Sequence, residues 1–209
     1  MIDAALQPLL RRVLLSPARW LVDRGITADQ VTVVGFALGI LVIPVLSLRA
    51  FDLALALLVL NRIADGLDGV VARLTTPSDR GAFLDSVLDS MFYALFVLGF
   101  ALASPSENGL PAAILITAFI GTGSSFLAFA AIAAKRGLTA VNYSAKGIYY
   151  LGGLTEGTET ITVFVAMCLF PNAFPTLAYG YAAACTLTTI LRWRQGWLTF
   201  SESKKDINL

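Results

Sequence analysis

The sequence contains no histidine. Imidazole catalysis and histidine-ligated metals are therefore excluded. Cysteine is almost as scarce, and Cys168 and Cys185 lie far apart, each in an apolar stretch. They read as small core or lipid-facing residues, not as a zinc site or a disulfide framework. Charged residues make up 14% of the chain and the net charge is +1, which gives no case for a nucleic-acid partner. A cleavable signal peptide is not expected, because Met1 to Arg24 carries charge throughout and lacks a compact apolar run. No internal repeat is visible, which weakens a transporter reading.

What the chain has in abundance is apolar surface. Hydrophobic residues make up 57% of it, and the mean hydropathy is +0.76. Apolar runs recur along almost the whole length, which predicts an all-α integral membrane protein. Residues 1–24 carry Ile2, Leu6, Leu9, Leu10, Val13 and Leu14 at helical spacing, with Arg11 and Arg12 off that stripe. This predicts an amphipathic helix in the interface with Trp20 as an anchor. Gly25 ends it, and Thr27 or Asp29 can cap the next helix. Six spans follow within a 25–191 transmembrane unit: 31–48, 51–73, 81–103, 110–134, 149–170 and 176–191. Pro77 breaks the 75–80 loop, 104–109 is polar, 135–146 is basic, and 192–209 reads as a fraying polar tail. Six spans put both termini on one side. The basic residues outside the span interiors, Arg49 apart, share that side, which predicts cytoplasmic termini in the cell's inner membrane.

Against this background one stretch stands out. Asp65-Gly66-Leu67-Asp68-Gly69-Val70-Val71-Ala72-Arg73 is followed by Gly81, Asp85 and Asp89. A charge at the bilayer centre costs roughly 2.5–3.5 kcal/mol, so four uncompensated carboxylates would cost on the order of 10 kcal/mol. Asp65 and Asp68 are three apart and share a helix face; Asp85 and Asp89 are four apart on the next helix. A short loop makes those helices antiparallel, so the acidic pairs face each other just below the cytoplasmic interface. Carboxylates without histidine or thiolate form a hard-oxygen site suited to Mg²⁺, Mn²⁺ or Ca²⁺. Two such ions would neutralise four charges and leave coordination positions for substrate phosphates, the arrangement that clamps an in-line displacement at phosphorus. Gly66, Gly69 and Gly81 clear room for a bulky ligand. Arg73 supplies a bidentate phosphate contact, and Ser78 a hydroxyl at a helix N-terminus. Two readings compete: buried ion pairs of Arg62, Arg73 and Arg80 with three aspartates, and a divalent-cation pathway lined by the acids.

At these residues the chain resembles the CDP-alcohol phosphotransferase family of integral membrane enzymes. That family's pattern is D-x-x-D-G-x-x-A-R, about eight residues, then G-x-x-x-D-x-x-x-D. Here all eight defining positions match, from Asp65 to Arg73 and from Gly81 to Asp89, with a spacer of seven residues. Thr27-Ala28-Asp29-Gln30-Val31-Thr32 is similar to the family's T-P-N-x-V-T and departs from it at Ala28 and Asp29. The resemblance implies that Asp65, Asp68, Asp85 and Asp89 bind two Mg²⁺ or Mn²⁺ ions and that Asp89 is general base to the acceptor hydroxyl. It implies that Arg73 holds the diphosphate, and that Gly69, Ala72 and Gly81 line a cytidine pocket with Asp29, Gln30 and Thr32. It further implies a homodimer, and attack of a small alcohol on a CDP-linked donor, CDP-diacylglycerol foremost, with release of CMP. The alternative within the family moves a CDP-linked headgroup onto diacylglycerol.

Acceptor contacts are sought nearby. Lys135, Arg136 and Lys146 read either as topology determinants or as partners for an acceptor phosphate, and Tyr149 as an interfacial aromatic or a pocket wall. Glu156 and Glu159 read either as a helix-start capping pair or as hydrogen-bonding groups for a polyol or cationic acceptor. Gly121-Thr122-Gly123-Ser124-Ser125 permits close helix approach, inside the chain or at a subunit seam.

Overall fold

The computed structural model describes residues 2–137 and 154–201, with side chains from Arg12 onward. Among them the chain is helical, without a strand. Helix α1 (Ile2–Asp23) ends where the sequence predicts. Gly25 adopts φ +74°, its N–H donates to the Val22 carbonyl at 2.9 Å, and the Ile26 N–H donates to the Leu21 carbonyl at 3.0 Å. Together these form a Schellman turn, which a glycine makes without Cβ strain. The inner face of α1 clusters Leu14 and Ala18 with Val70 and Val71 of α4 (Phe51–Leu74). Trp20 is half exposed, with the Arg24 guanidinium 3.6 Å from its ring centroid.

The sequence predicts one continuous first span. The structure instead breaks it at Leu41 into α2 (Ala28–Ile40) and α3 (Val42–Ser47). Pro44 accounts for the break: it has no N–H for the Ile40 carbonyl, and its ring crowds that carbonyl. A reciprocal capping box starts α2, with Gln30 N–H donating to Thr27 Oγ1 at 3.4 Å and Thr27 N–H to Gln30 Oε1 at 3.0 Å. Gly35 and Gly39, one turn apart, let α2 lie almost backbone to backbone on α4. A Cβ at Gly35 would fall 2.7 Å from that of Ala64, and one at Gly39 2.9 Å from the Asn61 amide nitrogen. Lipid tails are as apolar as leucine, so such close packing, and not removal from lipid, is what holds membrane helices together.

Helices α4 and α5 (Asp79–Ala103) are joined across residues 75–78, but their backbones hardly approach each other; α2 and α3 pack against both, a difference from the directly packed hairpin the short loop predicts. Toward the other end of the pair, Phe92, Phe96 and Phe100 repeat every fourth residue of α5 and are buried. Phe96 stacks on Phe164 with centroids 4.1 Å apart, and Phe100 on Phe174 at 4.6 Å. This aromatic column fixes α5 against α7 (Gly157–Leu169) and the start of α8 (Phe174–Ser201).

Two boundaries move outward from the sequence reading. Helix α6 (Pro105–Lys135) begins within the stretch expected to be a polar loop, because Pro105 sits in its first turn, where a missing N–H costs nothing. The Asn108 amide also donates to the Phe100 carbonyl at 2.9 Å, tying the start of α6 to the end of α5. Helix α8 continues to Ser201, whereas the sequence reading has a fraying tail from Arg192. The cause is visible at its end. Arg136 donates to the Phe200 carbonyl at 2.7 Å and to the Thr199 carbonyl at 3.4 Å, satisfying carbonyls that a helix terminus leaves open. Phe129 packs on Phe200 with centroids 4.8 Å apart.

Among the described residues, three stretches are long and apolar enough to cross a bilayer: Ala28–Ser47, Asp79–Ala103 and Pro105–Lys135. Helix α7 with Pro171–Ser201 makes a fourth if taken as one span, bent by 119°. The expected count is six. Helix α4 falls outside the apolar set because it carries Asp52, Arg62, Asp65, Asp68 and Arg73. Helix α7 has 13 residues; at 1.5 Å per residue a helix of that length reaches about 20 Å, against a hydrocarbon core of about 30 Å.

Filling the α2–α4 contact tests its weight. Gly35→Leu should destabilise the protein by about 1–3 kcal/mol through overpacking. Gly123→Ala, at a position with nothing within 4 Å of an added Cβ, should be neutral or slightly stabilising. Thermal unfolding of the two variants in detergent reads the difference.

Candidate active site

Helices α4 and α5 bring three of the four acids together. Asp65 and Asp68 project from one face of α4 and Asp85 from α5, each offering an oxygen so that all three oxygens lie within 4.8 Å of one another. Asp68 is buried, and Asp65 and Asp85 are half-buried. Opposite ligands on an octahedral Mg²⁺ stand about 4.2 Å apart, and slightly more on a larger divalent ion. Three carboxylates at this spacing, with no nitrogen or sulfur donor among them, suit one hard divalent cation. Thr32 of α2 donates its hydroxyl to Asp68 Oδ2 at 2.6 Å and thereby fixes the orientation of that carboxylate.

Asp89 lines the same pocket but lies outside this group of three. Its Oδ1 accepts from Arg62 at 3.0 Å, and another nitrogen of that guanidinium is 3.7 Å from Asp65 Oδ2. The ion-pair reading is thus realised at Asp89 and, more loosely, at Asp65. Arg62 is itself anchored. Asn61 Oδ1 accepts from its Nε at 2.9 Å and from a terminal nitrogen at 2.5 Å, while the Asn61 amide donates to the Gly35 carbonyl at 2.9 Å. The Arg62 guanidinium carbon lies 4.9 Å from the Phe92 ring centroid and 5.6 Å from that of Tyr93. Asn61 escaped the sequence reading, although a buried amide one turn before Asp65 on a bilayer helix is itself a signal.

Nearer the α4–α5 loop the expected donor-binding residues divide. A Cβ at Gly69 would lie 3.4 Å from an Arg73 guanidinium nitrogen, so the arginine folds back over the glycine beside the acids. A Cβ at Gly81 would meet Asp29 Oδ1 at 3.0 Å and Ser78 Oγ at 3.2 Å. Gly81, Asp29 and Ser78 therefore form one corner, in which Arg80 pairs with Asp29 at 2.5 Å. Ser78 caps α5 by accepting from the Gly81 N–H at 3.0 Å, and Gln30 is engaged in the α2 capping box. Ala72 lies half-buried one residue before Arg73. Gly66 differs from expectation: a Cβ there would sit 2.9 Å from Leu14 Cδ1, so this glycine makes room for α1 and not for a ligand.

Of the expected acceptor residues that are described, none lines the pocket of the acids. Arg136 spends its guanidinium on the end of α8, and Lys135 is exposed in the last turn of α6. Glu156 and Glu159 form the capping box of α7, with the Glu156 N–H donating to Glu159 Oε2 at 3.2 Å. Lys146 and Tyr149 lie outside the described residues. Gly121 packs internally, where an added Cβ would lie 3.1 Å from Thr189 Oγ1 of α8. Arg192 was read as tail but is buried on α8, donating to the Thr122 carbonyl at 2.9 Å.

The chain is similar to known proteins. A family model described as CDP-alcohol phosphatidyltransferase matches residues 25–199. The chain is 49% identical over 205 residues to the inner membrane protein YnjF of Escherichia coli K12, covering 98% of this chain and 100% of that one. It is 28% identical over 188 residues to archaetidylinositol phosphate synthase of Pyrococcus horikoshii, covering 90% and 92%. The crystal structure of Mycobacterium tuberculosis phosphatidylinositol phosphate synthase with CDP-DAG bound shares the fold. Its TM-score is 0.67 at 21% identity, covering 89% of this chain and 94% of that one. Together with the apolar helices, these similarities make the chain a multi-pass membrane protein.

The Thr32–Asp68 bond carries its own test. Thr32→Val keeps the shape and removes the donor, and should weaken divalent-ion binding about 10–100-fold, with Thr32→Ser restoring most of it. Titration with Mn²⁺ followed by electron paramagnetic resonance measures both.

Proposed function

The chain belongs to the CDP-alcohol phosphatidyltransferase family, transferases of substituted phosphate groups, and from that premise we propose that it moves a phosphatidyl group from a CDP-linked lipid to the hydroxyl of a small alcohol, releasing CMP. The observation that carries the reading is the convergence of Asp65, Asp68 and Asp85 on one space, with Arg73 beside it. CDP-diacylglycerol is the donor of choice, since the solved protein of the same fold holds it. Two similar proteins named as inositol phosphate lipid synthases make inositol phosphate the first acceptor to try.

Each residue then has a task. Asp65, Asp68 and Asp85 would hold a divalent ion, Mg²⁺ or Mn²⁺, which would supply positive charge to the donor diphosphate. Arg73 holds the same diphosphate by its fork of N–H donors. The corner of Asp29, Ser78 and Gly81, with Thr32, Gly69 and Ala72 beside it, receives the cytidine. Asp89 accepts the proton of the acceptor hydroxyl as its oxygen attacks the phosphorus that carries the lipid. The new P–O bond forms as the bond to the CMP oxygen breaks, and CMP departs with both electrons of that bond.

The membrane layout belongs to the same reading. Six crossings bring both termini and the acids to the cytoplasmic face, where Arg12, Arg19, Arg24, Arg73, Arg80, Lys135, Arg136, Arg192 and Arg194 are placed. Helix α4 is one of the six, its charges turned inward, and α1 lies along the interface. The homodimer implied by the family resemblance completes the picture.

Purified protein should release CMP only when CDP-diacylglycerol, an acceptor alcohol and a divalent ion are all present, and chelation should abolish release. CMP release with CDP-ethanolamine and diacylglycerol, but not with CDP-diacylglycerol, would overturn the donor assignment. Asp89→Asn should lower turnover by at least about 10²-fold, the low end of what a positioned base contributes. Its donor affinity, measured separately, should stay near that of the unaltered protein.

A further inference from the structure

We propose that Arg62 is a fixed internal cation standing where a second metal ion would sit, so that the site takes up one divalent ion and not two. This rests on the metal-dependent reading above and concerns only how many ions the four carboxylates hold. The group of three acids has the dimensions of a single coordination sphere, with its oxygens within 4.8 Å of one another. Asp89 stands apart from it, and the space between Asp89 and Asp65 is taken. One terminal nitrogen of Arg62 is 3.0 Å from Asp89 Oδ1, and the other is 3.7 Å from Asp65 Oδ2. An ion shared by these two carboxylates would have to enter that space, against a positive group already bonded there.

Arg62 is built into this position. Asn61 takes two of its hydrogen bonds, at 2.9 and 2.5 Å, and is itself locked to the α2 backbone through the Gly35 carbonyl. The rings of Phe92 and Tyr93 flank the guanidinium at 4.9 and 5.6 Å. A guanidinium does not lose its proton inside a protein, so the charge is permanent and does not depend on metal supply. Arg62 also lies outside the eight motif positions. Asp89 is then held by a side chain as the proton acceptor, and does not divide itself between acceptor and ligand.

Ion counting tests this directly. Full-length protein in detergent is equilibrated with Mn²⁺ alone, and bound metal is measured by dialysis with elemental analysis and by electron paramagnetic resonance. The unaltered protein should hold one Mn²⁺ per chain, with the spectrum of an isolated ion. Arg62→Met should take up a second, giving the spin-coupled spectrum of ions about 3.5–4 Å apart. Two coupled ions in the unaltered protein, or a folded Arg62→Met variant that stays at one, overturns the proposal. Asp89→Asn should keep its single ion, and loss of that ion would make Asp89 a ligand and sink the proposal even where Arg62→Met fails to fold. No bound Mn²⁺ in the unaltered protein would instead remove the metal-dependent reading underneath.

Discussion

Mutual repulsion among carboxylates governs this molecule. Three acids held within 4.8 Å of one another, in a chain that is mostly apolar, are tolerable only if something positive joins them and if the helices bearing them cannot drift apart. Charges this close interact far more strongly in a low-dielectric interior than in water. The surrounding structure answers that constraint in two ways. Cations are brought in from the same helices, Arg62 at Asp89 and Arg73 over Gly69. The backbone around the acids is clamped by contacts too close for any side chain.

The clamp is made mostly of glycine. Gly35 meets Ala64 one turn before Asp68, and Gly39 meets both Asn61 and Phe92. Helix α2 can therefore reach over α4 and place Thr32 on Asp68. At the far end of α5 the stacked Phe96–Phe164 and Phe100–Phe174 pairs do the complementary work, fixing the helix that carries Asp85 and Asp89. Packing at one end and packing at the other define the distance between the acidic faces in the middle.

Much of this was legible in the sequence. Asp65, Asp68 and Asp85 are displayed by helical periodicity, and the short 75–78 connection joins the two helices that carry them. The turn at Gly25 and the cap at Thr27 follow from local chemistry. Misses arose where one residue serves a distant partner. Pro44 breaks the first span through the carbonyl four residues earlier, and Arg136 extends α8 from 63 residues away in sequence. The Glu156–Glu159 pair has the pattern of a ligand site and of a capping box, and only tertiary placement separates the two. Gly66 shows the same ambiguity: a missing side chain signals close approach without naming what approaches.

That last glycine ties the amino-terminal helix to the chemistry. Leu14 of α1 touches α4 directly behind the turn that carries Asp65 and Asp68, at a place where an added methyl group would have to push the leucine tip aside. Any force that shifts α1 by the width of one carbon atom presses on the backbone of the acidic turn. A helix remote from the substrate in sequence thus acts as a rear wall of the reaction chamber. The placement of that helix and the placement of the acidic turn are joined by a single side-chain contact.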